Sequence, residues 1–224
     1  MAWRRRKLSE GHAAALAEQF EDLQQQHEAS NLGMWVFLAT EIMFFGGLFA
    51  GYAIYRGLYL PGFEAGSHLL SIKIGMFNTM VLICSSLTMA LAVRAAMQGR
   101  RRELISFLVL TMLLGLTFVG VKLFLEWHHD FEEHLAPGLS FAYEGPNARG
   151  VELFFVFYFF MTGVHALHMV IGVGVLGVLT WKAYHGQFGP ERYNAVEMTG
   201  LYWHFVDVIW IFLFPLLYLI GAHH

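Results

Sequence analysis

The sequence predicts an all-α fold: a polytopic membrane bundle of five transmembrane helices, preceded by a short N-terminal cytoplasmic helix. Three observations predict it. Of the 224 residues, 57% are hydrophobic, 16% aromatic and only 14% charged, with a mean hydropathy of +0.51; such values lie well outside soluble averages. Five apolar stretches each approach the ~20 residues that cross a bilayer as a helix. The basic residues also gather in alternate connections, as the positive-inside rule requires.

Residues 1–30 read as a cytoplasmic segment and residues 31–224 as the membrane domain. Within the first segment, residues 8–28 carry strong helix formers and a modest apolar stripe of Leu8, Ala15, Leu16, Phe20 and Leu23, which predicts a surface helix. The spans are expected at about residues 32–55, 74–95, 105–125, 151–180 and 199–220. Arg4, Arg5, Arg6, Lys7, Arg94, Arg100, Arg101, Arg102, Lys182 and Arg192 fall on one side, against Arg56, Lys73 and Arg149 on the other. The N-terminus is therefore expected in the cytoplasm and the C-terminus across the membrane. Residues 56–73, with Pro61 and several glycines, and residues 126–150 are expected as outer connections. Pairs such as Gly46/Ala50 and Gly47/Gly51, with Gly163, Gly172, Gly174 and Gly177 on the fourth span, predict close helix approach.

Several function classes drop out. A net charge of −3 gives no electrostatic footprint for nucleic acid. The single cysteine, Cys84, lies in an apolar run, so neither a disulfide framework nor a thiolate metal site is available. The first 30 residues lack the apolar core of a cleavable signal peptide.

Ionisable groups inside the spans are the candidates for function, because each costs a few kcal/mol to insert (roughly 2.5–3.5 on translocon scales). Glu41 is placed about 15 Å into the first span, and Asp207 about 12 Å into the fifth. His165, His168 and His204 come to similar depths. His165/His168 and His204/Asp207 are three residues apart, so each pair shares a helix face. Three readings fit these residues: a metal or haem site, a proton relay or lipid-headgroup site, or a satisfied polar network that fixes packing. A second cluster, "EWHHDFEEH" at residues 126–134, has ligand types that suit zinc or iron. At a span end it reads more readily as a solvated acidic face, and such a surface would also attract a basic soluble protein such as a cytochrome c. Lys122 and Glu126 are four apart and positioned to pair near the interface.

Five segments carry a resemblance. "FLATEIMFFGGLFAGY" (37–52), "NTMVLICSSLTMALA" (78–92), "LGLTFVGVKLFLEW" (114–127), "TGVHALHMVIG" (162–172) and "YWHFVDVIWIFLF" (202–214) resemble, in order, segments of subunit III of the haem-copper oxidases, especially cytochrome c oxidase. The resemblance implies a non-catalytic subunit with no redox centre and no metal of its own. Haem and copper would sit in partner subunits, namely a catalytic haem-copper subunit I and a copper-carrying subunit II, joined by small subunits. Cytochrome c would be the electron donor of the complex. Bound phospholipid, bacterial inner-membrane location, a role in proton uptake, and a possible respiratory supercomplex are implied in the same way. A quinol oxidase or a nitric oxide reductase accessory protein is the neighbouring alternative, and a self-contained membrane haem or di-iron enzyme the distant one. Glu41 matches the family's buried glutamate, and His165, His168, His204 and Asp207 match its later motifs. Arg94, His168 and His204 are candidate lipid contacts. Glu41 is expected to be a hydrogen-bonded carboxyl that reacts with a hydrophobic carbodiimide. Many family members have seven spans; five are expected here.

Overall fold

The computed structural model describes residues 23–138, 141–143, 145–190 and 192–223. Helix α1 spans Leu23–Leu58, α2 Leu60–Leu69, α3 Ile72–Met97 and α4 Arg101–Gly120. A π-helical stretch, Val121–Trp127, leads without a break into α5, His128–Glu132. Helix α6 spans Ala148–Tyr184 and α7 Asn194–Tyr218, followed by a 3₁₀ turn at Ile220–His223. No strand occurs among the described residues.

Five helical segments are long and apolar enough to cross a membrane: Gln24–Leu58, Ile72–Met97, Arg101–Glu132, Ala148–Tyr184 and Asn194–Tyr218. All five expected spans are present, each longer than its apolar stretch because the helix runs on into polar flanks. Most of the expected surface helix of residues 8–28 lies outside the described residues. From Leu23 onward it is continuous with the first span, so the helix crosses residue 30 unbroken. At about 1.5 Å per residue, α1 is roughly 54 Å long, well beyond the ~30 Å hydrocarbon core.

The connection at residues 56–73 differs from expectation, because it contains α2. Pro61 opens that helix from its first turn, where no N–H is needed. Gly62 and Gly66 then let α2 lie directly on α6. A Cβ on Gly62 would stand 2.5 Å from the Gly150 Cα, and one on Gly66 2.5 Å from the Phe154 ring.

Trp203 on α7 holds the centre. Its indole is fully buried and donates to Ser85 Oγ of α3 at 2.9 Å. Two glycines make room for it. A Cβ on Gly115 of α4 would come within 2.7 Å of the ring, and one on Gly172 of α6 within 2.9 Å. One side chain thus gathers four helices, the close approach that small residues allow where lipid supplies no hydrophobic drive. The glycines of α1 behave differently. Gly51 meets Phe157, but added Cβ atoms on Gly46 and Gly47 would find no neighbour within 4 Å. Helix α1 is the least enclosed of the five spans and α7 the most.

Two helix ends are closed by long-range side chains. Arg101 donates to the carbonyls of Ala183, at 3.0 Å, and Tyr184. It thereby satisfies orphan acceptors at the C-terminus of α6 with the charge sign that the helix dipole favours. Tyr52 of α1 donates to Leu216 O near the end of α7 at 2.5 Å.

Candidate functional site

The intramembrane polar residues form three groups rather than one. The first joins α1 to α6. The Glu41 carboxyl stands 3.2 Å from His168 Nε2. His168 Nδ1 is 2.8 Å from Val164 O, one turn back, and Tyr202 of α7 donates to His168 O at 2.8 Å. The imidazole is thus held from both sides of its residue, by a side-chain and a main-chain contact. Side-chain exposure is 15% for His168 and 19% for Glu41, so the pair sits at the rim of the bundle. At this spacing the carboxyl and the imidazole are within hydrogen-bond reach, the geometry that proton exchange between two such groups requires.

The second group joins α3 to α7. Ser86 Oγ and His204 Nδ1 are 2.7 Å apart. Asp207, one turn further along α7, is buried. Neither of its carboxyl oxygens has a hydrogen-bond partner among the described residues. Ser86, His204 and Asp207 line a groove of about 350 Å³ with Leu82, Ile83, Leu87, Ala90, Val208 and Ile211.

The third group was half legible. Lys122 and Glu126 pair at 2.7 Å, but deep in the bundle rather than at its rim, with side-chain exposures of 1% and 4%. Lys122 Nζ also donates to Tyr158 OH at 3.0 Å and Tyr218 OH at 2.6 Å, and Tyr218 OH donates to the other Glu126 oxygen at 2.5 Å. The widened π turn carries both charged residues, and such turns are frequent at functional sites. Nothing in the sequence singles out Tyr158 or Tyr218, since tyrosines are common near span ends. Asp130, four residues on, is buried too. Its neighbours His128, His129, Glu132 and Glu133 are exposed and form contacts of 3.5 Å (His128–Glu132) and 3.3 Å (His129–Glu133) along the helix.

His165 does not join His168. Its ring lies between Phe118 at 5.4 Å and Trp210 at 5.2 Å, and neither ring nitrogen has a partner among the described residues. The two histidines are one turn apart yet face different neighbours, because α6 is packed on several sides. Likewise His204 meets Ser86 rather than Glu41, and the Phe45 ring stands between His168 and Phe205. Arg94 is exposed near the C-terminal end of α3. Among the described residues, no group of three or more His, Cys, Asp or Glu is placed to hold a metal ion.

The family model described as "Cytochrome c oxidase subunit III" matches residues 3–222. The chain belongs to this family. It is 32% identical over 190 residues to "Cytochrome c oxidase subunit 3" of Thermostichus vulcanus, covering 84% of this chain and 86% of that protein. It is 30% identical over 191 residues to "Quinol oxidase subunit 3" of Bacillus spizizenii, covering 85% and 86%. A third relative, "Cytochrome c oxidase subunit 3" of Cyprinus carpio, is 31% identical over 198 residues, covering 85% of this chain and 69% of its own length. The chain is therefore subunit III of a haem-copper terminal oxidase, an integral membrane member of a respiratory complex. Within the subunit III family the relatives divide between cytochrome c and quinol oxidases.

Proposed function

We propose that this chain is the non-catalytic subunit III of a proton-pumping cytochrome c oxidase, where it supports proton uptake, lipid binding and the integrity of the catalytic subunit. The Glu41–His168 contact carries the reading. A carboxyl of α1 and an imidazole of α6 meet at 3.2 Å between two largely apolar spans, at the rim of the bundle. That position lets the pair exchange a proton with a neighbour. Ionisable residues within spans mark such pathways. His165, His204 and Asp207 belong to the same intramembrane polar set, and Arg94, His168 and His204 are the proposed lipid contacts. Haem and copper belong to the partner subunits I and II in this reading. The N-terminus faces the cytoplasm of a bacterial cell, in keeping with the basic connections.

The test is gentle purification through a tag on this chain. Co-purification with a haem-containing, multi-spanning subunit is expected, with oxygen reduction driven by reduced cytochrome c. In that preparation a hydrophobic carbodiimide should label Glu41 and slow turnover, and Glu41→Gln should abolish the labelling. Isolation of the chain without any haem protein overturns the assignment. The Bacillus relative supports the second reading, a quinol oxidase; turnover with a quinol but not with cytochrome c selects it.

A further inference from the structure

The three intramembrane histidines differ in what their contacts dictate about the ring. His165 has no partner at either nitrogen among the described residues. His204 Nδ1 meets Ser86 Oγ at 2.7 Å. A hydroxyl both donates and accepts, so either ring tautomer satisfies that contact. His168 is more constrained. Its Nδ1 lies 2.8 Å from Val164 O, and a carbonyl oxygen only accepts. Nδ1 must therefore carry the hydrogen. In the neutral ring this leaves a bare lone pair on Nε2, and that nitrogen faces Glu41 Oε2 at 3.2 Å.

The fixed tautomer gives the pair a direction. A hydrogen bond between Oε2 and Nε2 needs one proton, held on one atom or the other. In the first form a neutral carboxyl donates to a neutral imidazole; in the second a carboxylate accepts from an imidazolium. Passing between them breaks an O–H bond, forms an N–H bond and leaves the summed charge of the pair at zero. The far side of the ring offers no continuation, because Val164 O is an amide oxygen within α6 that accepts a hydrogen bond and not the proton itself. The titratable neighbours do not extend the path. Tyr202 of α7, near Glu41, gives its hydroxyl hydrogen to His168 O. His165, three residues back on α6, is held between Phe118 and Trp210. Among the described residues the Glu41 carboxyl is bonded through Oε2 alone. Oε1 is thus the free atom of the pair, on a side chain that is 19% exposed.

We propose that Glu41 and His168 form a single-port proton store: the Val164 carbonyl holds His168 as the Nδ1–H tautomer, Glu41 hands its proton to Nε2 and takes it back, and the proton enters and leaves through the free Glu41 oxygen at the rim. This deepens, and rests on, the proton exchange proposed above for the pair. His168 is the acceptor. Val164 and Tyr202 are positioning residues, the first acting on the ring and the second on the main chain. With both nitrogens engaged, His168 meets lipid through its ring carbons, so the store and the proposed lipid contact are compatible. A wire to the Lys122 ring would need a second exit from the imidazole, and the Val164 contact closes it.

The test uses the assembled oxidase, purified through a tag on this chain, carrying isotope-labelled histidine and reconstituted in lipid. The His168 signals are those lost in His168→Gln, and magnetic resonance reads the hydrogen on each ring nitrogen. The expected result is hydrogen on Nδ1 in the parent and in Glu41→Gln alike. A neutral ring with hydrogen on Nε2 and none on Nδ1 overturns the inference. The second measurement times the labelling of Glu41 by a hydrophobic carbodiimide. That reagent consumes the protonated carboxyl: its nitrogen takes the proton and its carbon the carboxylate oxygen. Removing the imidazole removes the competitor for that proton. In a preparation that keeps its haem spectrum, His168→Gln is therefore expected to label at least as fast as the parent and up to several-fold faster. Slower labelling, the outcome if protons reached Glu41 through the ring, overturns the inference. A parent chain that never labels strikes the proton-exchange reading itself, while the tautomer is still read from the ring nitrogens.

Discussion

The centre of the bundle and its rim use the same kinds of residue to opposite ends. At the centre, Lys122, Glu126 and Tyr218 close a ring of charge-assisted hydrogen bonds, with Tyr158 as the third acceptor for the ammonium. An ammonium has three N–H groups, and all three are engaged. Toward the rim, Glu41 and His204 use only part of their bonding capacity, Asp207 has no partner among the described residues, and His168 alone is engaged at both ring nitrogens. The closed ring requires nothing from outside the chain and acts as architecture. The rim groups gain most by meeting another molecule.

The sharpest way to break this contrast is to open the ring. Lys122→Met leaves Glu126 buried without its counter-charge and should destabilise the fold by about 3–5 kcal/mol, measured by denaturant unfolding of the chain in mixed micelles. Lys122→Met combined with Glu126→Leu should recover most of that loss, because both charges are gone. A double variant as unstable as the single one would show that the ring does more than satisfy itself.

The next perturbation strikes between the two regions. Gly115→Val drives a side chain into the Trp203 ring and should cost about 1–3 kcal/mol through overpacking. Trp203 bonds Ser85, the neighbour of Ser86, so the Ser86–His204 contact should loosen with it. Faster modification of His204 by diethyl pyrocarbonate checks this.

Rim changes are expected to be smaller in stability and larger in activity. Tyr202→Phe removes one hydrogen bond to His168 O and should cost about 0.6 kcal/mol, the average for such bonds in membrane bundles. Glu41→Gln should change stability least, by less than about 1 kcal/mol, while turnover of the complex slows. A Glu41→Gln chain that unfolds as readily as Lys122→Met would move Glu41 from the rim class to the architectural one.

Much of this was legible beforehand, for local reasons. Apolar runs marked the spans, and Glu41 and Asp207 stood out because hydrocarbon penalises each wherever it lies. Lys122 and Glu126 were paired by spacing alone. Other features were hidden. Helix α2 was read as a connection because Pro61, Gly62 and Gly66 look like turn residues until Gly150 and Phe154 are set against them. Tyr158 and Tyr218 come from helices distant in the chain. His165 and His168 share a spacing that suggested a common role, yet the packing of α6 turns them to different neighbours.

By itself the sequence determined the membrane class, the five spans and the list of acids and imidazoles placed at depth, because the cost of transferring a residue into hydrocarbon adds up residue by residue along the chain. Only the tertiary structure decided which of those groups close on one another and which stay open at the rim. That depends on how each helix is rotated and how closely it approaches its neighbours, and both are set by contacts such as Trp203 against Gly115 and Gly172, which join residues far apart in the chain.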